Sequence, residues 1–539
     1  PKSRTENTKI TALEYFVDTK TAFGSGNVVS IEPKGTISES IEIPIENLNK
    51  GFSKVYVRLK DEKDNWGNYS SQLTFVNNDR APKAKIKDIE SGIEDWSDKK
   101  IIDQIKGYAD MSKHGSTHNK RAKELFSKLF EKKKEFIDFH NKNYGSSFTY
   151  EQFEPMFKAE MFEPTQWADL FKKSGAKYVV LTSKHHDGYT LWNSAEADRD
   201  WNRPWNAVTG TPKRDLLGDL SEAVRNSGLK MGYYYSLYEW FNPMWLHDRK
   251  KYVEKHMTPQ FKDLVTKYKP SVIFSDGEWD ISDTAWKSPE LLAWLFNESP
   301  VKDNVVVNDR WGNNTREKNH GAMYTTSEYG SGMDASIIWE ESQGIGSSYG
   351  YNRNEQLKDY KSSRELILML NDIVSRGGNF LLDIGPDADG NIPVILQQRL
   401  SDIGDWLEVN GEAIYETTAF KKPAQWTLGK MPAKKSASFM ADYKVAKLVV
   451  PKTDSAYIES FFTKKGNDLY CILPNYQNSI TIRDIQANAD ATLTVLGSKH
   501  QPTWKRKGKN IVVDLSSLKP GDINSSGIFV IKMTNTQQQ

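Results

Sequence analysis

The middle of the chain alternates short apolar runs with stretches whose apolar residues recur at helical spacing. Residues 176–183 (Ala176-Lys177-Tyr178-Val179-Val180-Leu181-Thr182-Ser183) are apolar, β-branched and too few for a helix, so they read as a strand covered on both faces. Residues 216–224 have helical spacing and lead into a second strand over 229–236. A helix over 261–268 precedes a strand over 271–275. Then come a helix over 289–297, a strand over 304–308, a helix over 355–375 and a strand over 379–385. Strands alternating with helices predict βαβ units and a parallel sheet. Polar or acidic residues recur just where each strand ends. That layout predicts an α/β fold, a (β/α) barrel with its site at one rim.

The flanks follow a different rule. Residues 1–80 show no helical period; short alternating runs such as Lys54-Val55-Tyr56-Val57-Arg58-Leu59 are separated by turn clusters such as Gly24-Ser25-Gly26. They predict a small β-sandwich-like module, loosely similar to a β-module common on secreted bacterial proteins. A charged stretch over 78–87 opens a linker placed at 81–95, and the barrel is expected over 96–424. The strand-and-turn pattern then returns, predicting a second β-sandwich over 425–539. Two or three domains suit a chain of 539 residues.

Composition narrows the function. A net charge of +2 without long like-charge blocks argues against nucleic acid as a partner. No segment is apolar enough to span a membrane. The single cysteine, Cys471, rules out an internal disulfide and a thiolate metal cluster, and its strand-like setting makes it a small buried residue. Sixteen Trp and 24 Tyr suit stacking on the apolar faces of sugar rings, or plain core packing. The chain starts at Pro1, which fits either a removed signal peptide or a trimmed end.

The chemistry concentrates at two strand ends. Lys184-His185-His186-Asp187-Gly188 follows the first central strand. Alternate strand residues face opposite ways, so both histidines cannot be core filling. A metal reading is disfavoured, because neighbours in extended chain diverge and no second ligand cluster accompanies them. Asp276 ends the strand over 271–275 and precedes Gly277, which lets the backbone turn sharply at the rim.

Longer motifs add a resemblance. Residues 175–188, Pro212-Lys213-Arg214-Asp215-Leu216, Ser275-Asp276-Gly277-Glu278-Trp279, Asn308-Asp309-Arg310-Trp311-Gly312 and residues 377–386 are similar to glycoside hydrolase family 29, the retaining α-L-fucosidases. Together with 410–415 they span roughly residues 148–475, and the Ser-Asp-Gly-Glu-Trp form is closest to the lysosomal type. The resemblance implies an exo-acting enzyme that removes terminal α-linked L-fucose with retention and needs no cofactor or metal. Retaining glycosidases pair an ionised nucleophilic carboxylate with a protonated acid. The resemblance makes Asp276 the nucleophile. It puts the acid/base in a Thr-x-Glu-Tyr-like stretch, matched by Thr326-Ser327-Glu328-Tyr329, with Glu340 as the competitor. It also implies sugar contacts from His185, His186, Tyr234, Arg310 and Trp279. Arg310 has the alternative of being a structural ion-pair partner. Partners would be fucosylated glycans, with homo-oligomerisation left open, and the setting periplasmic or secreted.

One stretch departs from that pattern. Members of the family carry a first barrel strand whose histidine, followed by a glutamate and a tryptophan, closes the fucose pocket. Here Gly107-Tyr108-Ala109-Asp110-Met111-Ser112-Lys113-His114-Gly115-Ser116-Thr117-His118 and a charged run over 120–142 stand in its place, with no apolar strand. Residues 97–145 are therefore expected to be the least family-like part of the barrel. A second function stays open: a fucose- or glycan-binding pseudoenzyme with an incomplete site.

Overall fold

The computed structural model describes residues 9–17, 24–34, 51–76 and 134–537, apart from short stretches inside the last two spans. The segment expected to form the linker, and residues 97–133 with His114 and His118, lie outside the described residues. Strands β1 (Ile10–Val17), β2 (Asn27–Lys34), β3 (Gly51–Asp61) and β4 (Ser70–Val76) form one antiparallel sheet in the order β2-β1-β3-β4. Buried Arg58 donates from Nε to Glu14 Oε2 at 2.6 Å, pinning β1 to β3. The Tyr56 hydroxyl donates to Asp405 Oδ2 at 2.6 Å and ties the sheet to helix Val394–Asn410.

The central part is α/β. Strands β5 (Tyr178–Lys184), β6 (Lys230–Ser236), β7 (Val272–Asp276) and β8 (Val306–Val307) run parallel in that order. Strands β9 (Thr325–Glu328), β10 (Trp339–Gly344) and β11 (Gly378–Asp383) form a second parallel set with β10 in the middle. One parallel bridge, Asn308 to Tyr324, links the two sets. Helices Leu216–Asn226, Thr258–Tyr268, Ser288–Asn297 and Ser363–Ser375 fall between strands, as the alternating pattern predicts.

Two expected elements are shorter than their patterns. The helix over 355–375 begins only at Ser363, after a 3-10 turn at Leu357–Asp359. Ser362 Oγ accepts from the Glu365 amide while Glu365 Oε2 accepts from the Ser362 amide, a reciprocal cap that sets the start. The strand over 304–308 shrinks to Val306–Val307. At Asn308 the side-chain amide takes over the pairing: Oδ1 accepts from the Ser275 amide at 3.0 Å and Nδ2 donates to Ser275 O at 2.9 Å.

The outer strands of the series differ from the inner ones. Every residue of β7 and β10 is buried. In β5 the first five residues are only half-buried, and β11 runs from one buried residue to four half-buried ones. This corrects the expectation that residues 176–183 are covered on both faces. Among the described residues β5 pairs only with β6 and β11 only with β10. A cavity of about 1010 Å³ is lined by consecutive residues of both strands, 176–182 and 377–387. A void on one face of a sheet meets alternate residues. One lined by every residue in turn runs along the strand edges.

The carboxyl-terminal part holds ten strands among the described residues: β12 (Thr418–Trp426), β13 (Ile458–Lys465), β14 (Asp468–Leu473), β15 (Ser479–Ile482), β16 (Gln486–Ala487), β17 (Leu493–Val495), β18 (Thr503–Lys507), β19 (Asn510–Asp514), β20 (Phe529–Met533) and β21 (Thr536–Gln537). An antiparallel sheet β12-β13-β14-β20-β17 shares a core with the sheet β15-β19-β18, through Phe462, Cys471, Ile482, Val513 and Ile531. Cys471 is fully buried, as its strand setting implied. The first of these strands starts at Thr418, before the expected boundary at 425.

Candidate active site

Strand β7 delivers Asp276 to its carboxyl end, fully buried. Gly277 follows with φ +75°, and a Cβ there would stand 2.7 Å from the Tyr238 ring and 3.0 Å from Ser236 Oγ. Only glycine makes this turn without moving a neighbour. Asp276 Oδ1 accepts from Arg310 Nη1 at 2.8 Å, and Oδ2 accepts from the Tyr234 hydroxyl at 2.6 Å. Arg316 Nη2 stands 3.8 Å from Oδ1. Burial alone would raise the Asp276 pKa, and Glu328 pushes the same way. Arg310, Arg316 and the Tyr234 hydroxyl outweigh both and hold the carboxyl below its ordinary range.

Arg310 joins the two halves of the site. It is buried over the Phe274 ring at 4.8 Å, donates from Nε to Thr326 Oγ1 at 2.6 Å, and places Nη2 2.5 Å from Glu328 Oε1. One guanidinium thus contacts both carboxylates, so Arg310 sits in an ion-pair network and within the site at once. Glu328 is the last residue of β9 and pairs with Ser342. Glu340 pairs with Thr326, two residues nearer the amino ends of the strands, and accepts from the Tyr178 hydroxyl at the start of β5. Burial pushes its carboxyl up to about 7. Of the two glutamates, it is Glu328 that shares Arg310 with Asp276 at ion-pair distance.

His185 and His186 occupy the neighbouring strand end, both buried. The His185 ring stacks on Tyr234 at 5.3 Å with planes 6° apart. His186 Nδ1 lies 2.6 Å from Ser236 Oγ, and that hydroxyl donates to Tyr238 O at 2.7 Å. A serine has one proton to give, so Nδ1 carries the hydrogen here. A neutral His186 then presents Nε2 as an acceptor, 3.8 Å from Asp276 Oδ2. Trp279 meets the His186 ring edge-on at 5.2 Å. Asp187 turns elsewhere: its Oδ2 accepts from Tyr150, and burial lifts its carboxyl to about 7.

His185, His186 and Asp276 bring one ligand atom each within 4.8 Å of one another, the spacing of a metal site. The donor set does not suit a cation. Both Asp276 oxygens already accept hydrogen bonds, and two guanidinium groups face the same carboxylate. The pattern fits a ligand with hydroxyls to bind and positive charge that develops only in reaction.

Tyr238 and Trp240, which no motif contains, and Glu278, which lies inside the Ser-Asp-Gly-Glu-Trp motif, also reach this rim. Tyr238 and Trp240, just beyond β6, contact the His186 ring at 4.8 and 5.5 Å. Glu278 is buried and accepts from Arg316 Nε at 2.6 Å; burial raises its carboxyl despite that partner. The rule that found Asp276, polar residues just past a strand, would have found Tyr238 and Trp240 too.

Comparison with known proteins agrees with this geometry. A family description for alpha-L-fucosidase matches residues 107–412. An alpha-L-fucosidase of Dictyostelium discoideum is 47% identical over 292 residues, 52% of this chain and 62% of that protein. A tissue alpha-L-fucosidase of Bos taurus is 38% identical over 420 residues, 76% of this chain and 82% of its own. The match thus spans less than two thirds of the Dictyostelium protein and most of the bovine one. The crystal structure of Thermotoga maritima alpha-fucosidase with a mechanism-based inhibitor superposes with a TM-score of 0.61 at 30% identity, covering 80% of this chain and 93% of that one.

Proposed function

The chain belongs to the alpha-L-fucosidase family, and on that premise we propose that it is a retaining, exo-acting α-L-fucosidase acting on terminal fucose of glycans. The observation that carries this reading is Arg310, whose Nη1 and Nη2 contact the carboxylates of Asp276 and Glu328 at the ends of β7 and β9. Asp276 is held ionised by positive neighbours, as a nucleophile requires. It attacks the anomeric carbon while Glu328 protonates the departing glycosidic oxygen. A glycosyl-enzyme ester on Asp276 results. Glu328 then takes a proton from water, which attacks the same carbon, releases Asp276 and yields fucose with its configuration retained.

The remaining residues hold the sugar. The Nε2 acceptor of His186 takes a hydroxyl proton, His185 and Tyr234 present polar edges beside it, and Trp279 offers an apolar ring face. The seven parallel strands are read as the wall of a (β/α) barrel, and the two carboxyl-terminal sheets as a sandwich. No helix among the described residues is long and apolar enough to cross a membrane. With glycans as substrate, the periplasm or the cell exterior is the proposed setting.

A second reading rests on β5 and β11. Their half-buried edges and the 1010 Å³ cavity between them adjoin His185, Tyr234 and Glu328, which line the same space. On this reading the site binds a sugar without turning it over. Turnover of an aryl α-L-fucoside, with the product anomer followed by proton NMR, separates the two. Release of the α-anomer first supports the enzyme; release of the β-anomer, or binding without release, overturns the retaining mechanism.

A further inference from the structure

Behind the paired histidines lies a cluster of charges that the reaction does not use. Lys184, the residue before His185, donates from Nζ to Glu239 Oε1 at 2.8 Å. The same oxygen lies 2.7 Å from His256 Nε2, and His256 Nδ1 lies 2.6 Å from Asp200 Oδ2. Glu239 Oε2 accepts from Asn242 Nδ2 at 2.8 Å and from Trp201 Nε1 at 3.5 Å. Lys184, Glu239 and His256 are all buried, the last two fully. Four donors from four segments therefore converge on one carboxylate, filling the acceptor sites it has.

The cluster is built around the rim rather than merely under it. Gly188 closes the turn after the histidines with φ +77°, and a Cβ there would meet Glu239 Oε2 at 2.5 Å. The turn is thus packed directly against the carboxylate. Trp240, the residue after Glu239, donates its backbone N–H to His186 O at 2.7 Å and lays its ring against both histidines. His256 sits in a single π-helical turn, Val253–Met257, which swings its imidazole between Asp200 and Glu239. Such turns cluster at functional sites because they cost helix regularity. Breaking a buried pair by removing one partner leaves an uncompensated charge, so the group that joins four partners controls the geometry most.

Resting on the fucosidase reading above, we propose that Glu239 is a positioning residue for sugar recognition, locking the carboxyl ends of β5 and β6 so that His185, His186 and Trp240 present one fixed face to fucose. It touches neither substrate nor the reacting carboxylates. Its loss acts on binding before it acts on chemistry, since Arg310, outside the cluster, holds both Asp276 and Glu328, and Tyr234 in the body of β6 gives Asp276 a second anchor.

The test compares wild type with Glu239→Gln and Glu239→Asp in the full chain. In Glu239→Gln, KM for an aryl α-L-fucoside should rise about tenfold or more while kcat stays within about threefold. Glu239→Asp, which keeps the charge, should recover part of that loss. A crystal structure of Glu239→Gln should show the His186 ring displaced from its 3.8 Å approach to Asp276. A lowered melting temperature with KM unchanged and His186 in place would overturn the proposal, since Glu239 would then be only structural. If Glu239→Gln does not fold, His256→Asn carries the same comparison, with the same KM rise expected and an unchanged KM decisive against it. A wild type that turns nothing over ends the activity reading alone; the position of His186 in the two crystal structures then decides the role of Glu239.

Discussion

The two walls of the site are made differently. On one, β7 and β10 are buried throughout and β9 at all but Ser327, and Asp276, Arg310, Thr326 and Glu328 are tied by direct hydrogen bonds and ion pairs. On the other, β5 and β11 are half-buried along most of their length and share a cavity of about 1010 Å³. The wall that carries the proposed reacting carboxylates is held by fixed partners, as electrostatic stabilisation of a transition state demands. The described residues of the other wall line the cavity rather than one another. The difference separates bond cleavage from grip: the structure supports the first more fully than the second.

The sharpest way to break that comparison is to remove the proposed nucleophile. Asp276→Ala should lower turnover by roughly a thousandfold or more, because covalent catalysis is lost while the binding residues stay. Added azide should restore part of the rate, and circular dichroism should show an unchanged fold. Turnover near wild type would move the nucleophile elsewhere. Glu328→Ala should act next most strongly and selectively. Hydrolysis of natural glycosides should fall by about 10²–10⁴, while a substrate with a good leaving group, which needs no protonation, keeps most of its first-step rate. The same selective loss in Glu340→Ala, with Glu328→Ala near normal, would reverse the assignment.

Grip is the smaller effect. The family description matches from residue 107, while the motif expected of the family's first strand, with its sugar contacts, is not found in residues 107–118. Each missing hydrogen bond costs about 0.5–1.5 kcal/mol, and about 1.4 kcal/mol is tenfold in affinity. Three missing contacts predict a fucose-mimicking iminosugar bound about two orders of magnitude more weakly than by the bovine or Thermotoga enzymes. Calorimetry measures it. Equal affinity would mean that His114, His118 or another group has refilled the wall.

How much of this was legible follows the same division. The buried strand ends were readable because apolar β-branched runs stop abruptly at His185 and Asp276, and the central pairing follows from strand–helix alternation. Glu328 was preferred to Glu340 on a four-residue motif alone, since what sets them apart in space, a register of two residues on adjacent strands and the reach of one arginine, leaves no mark in the sequence. The cluster around Glu239 was invisible for a related reason. Lys184, Asp200, Glu239 and His256 are far apart in the chain, and each alone has the composition of a surface residue. The half-exposure of β5 was misjudged because an apolar run signals a wish for cover, not the presence of a neighbour.

That misjudgement has a thermodynamic consequence. Ile273 of β7 is 2% exposed, whereas Leu381 of β11 is half-buried beside the cavity. Truncating a packed aliphatic side chain to alanine costs about 2–5 kcal/mol, and less where the site is already loose. Ile273→Ala should therefore lower the melting temperature clearly more than Leu381→Ala. Equal losses would show that the seam is as tightly filled as the opposite wall.

The smallest predicted effect is a pH dependence of stability that originates in the buried cluster. His256 is flanked by Glu239 beyond β6, Asp200 and Arg199 of helix Ala195–Trp201, Lys184 of β5 and the stacked ring of Tyr252. Burial alone would lower its pKa, but Glu239 and Asp200 outweigh burial and raise it. A group whose folded pKa is raised stabilises the fold fully below its unfolded value, about 6.5 for histidine, and loses that contribution as pH rises through the folded value. Once His256 is neutral, Glu239 keeps Lys184 and Asp200 keeps Arg199, and the cation that bridged the two carboxylates is lost. The melting temperature should thus decline as pH rises above about 6.5, and His256→Asn should flatten that decline while starting from a lower value. An alkaline slope identical in wild type and His256→Asn would place the titrating group outside this cluster.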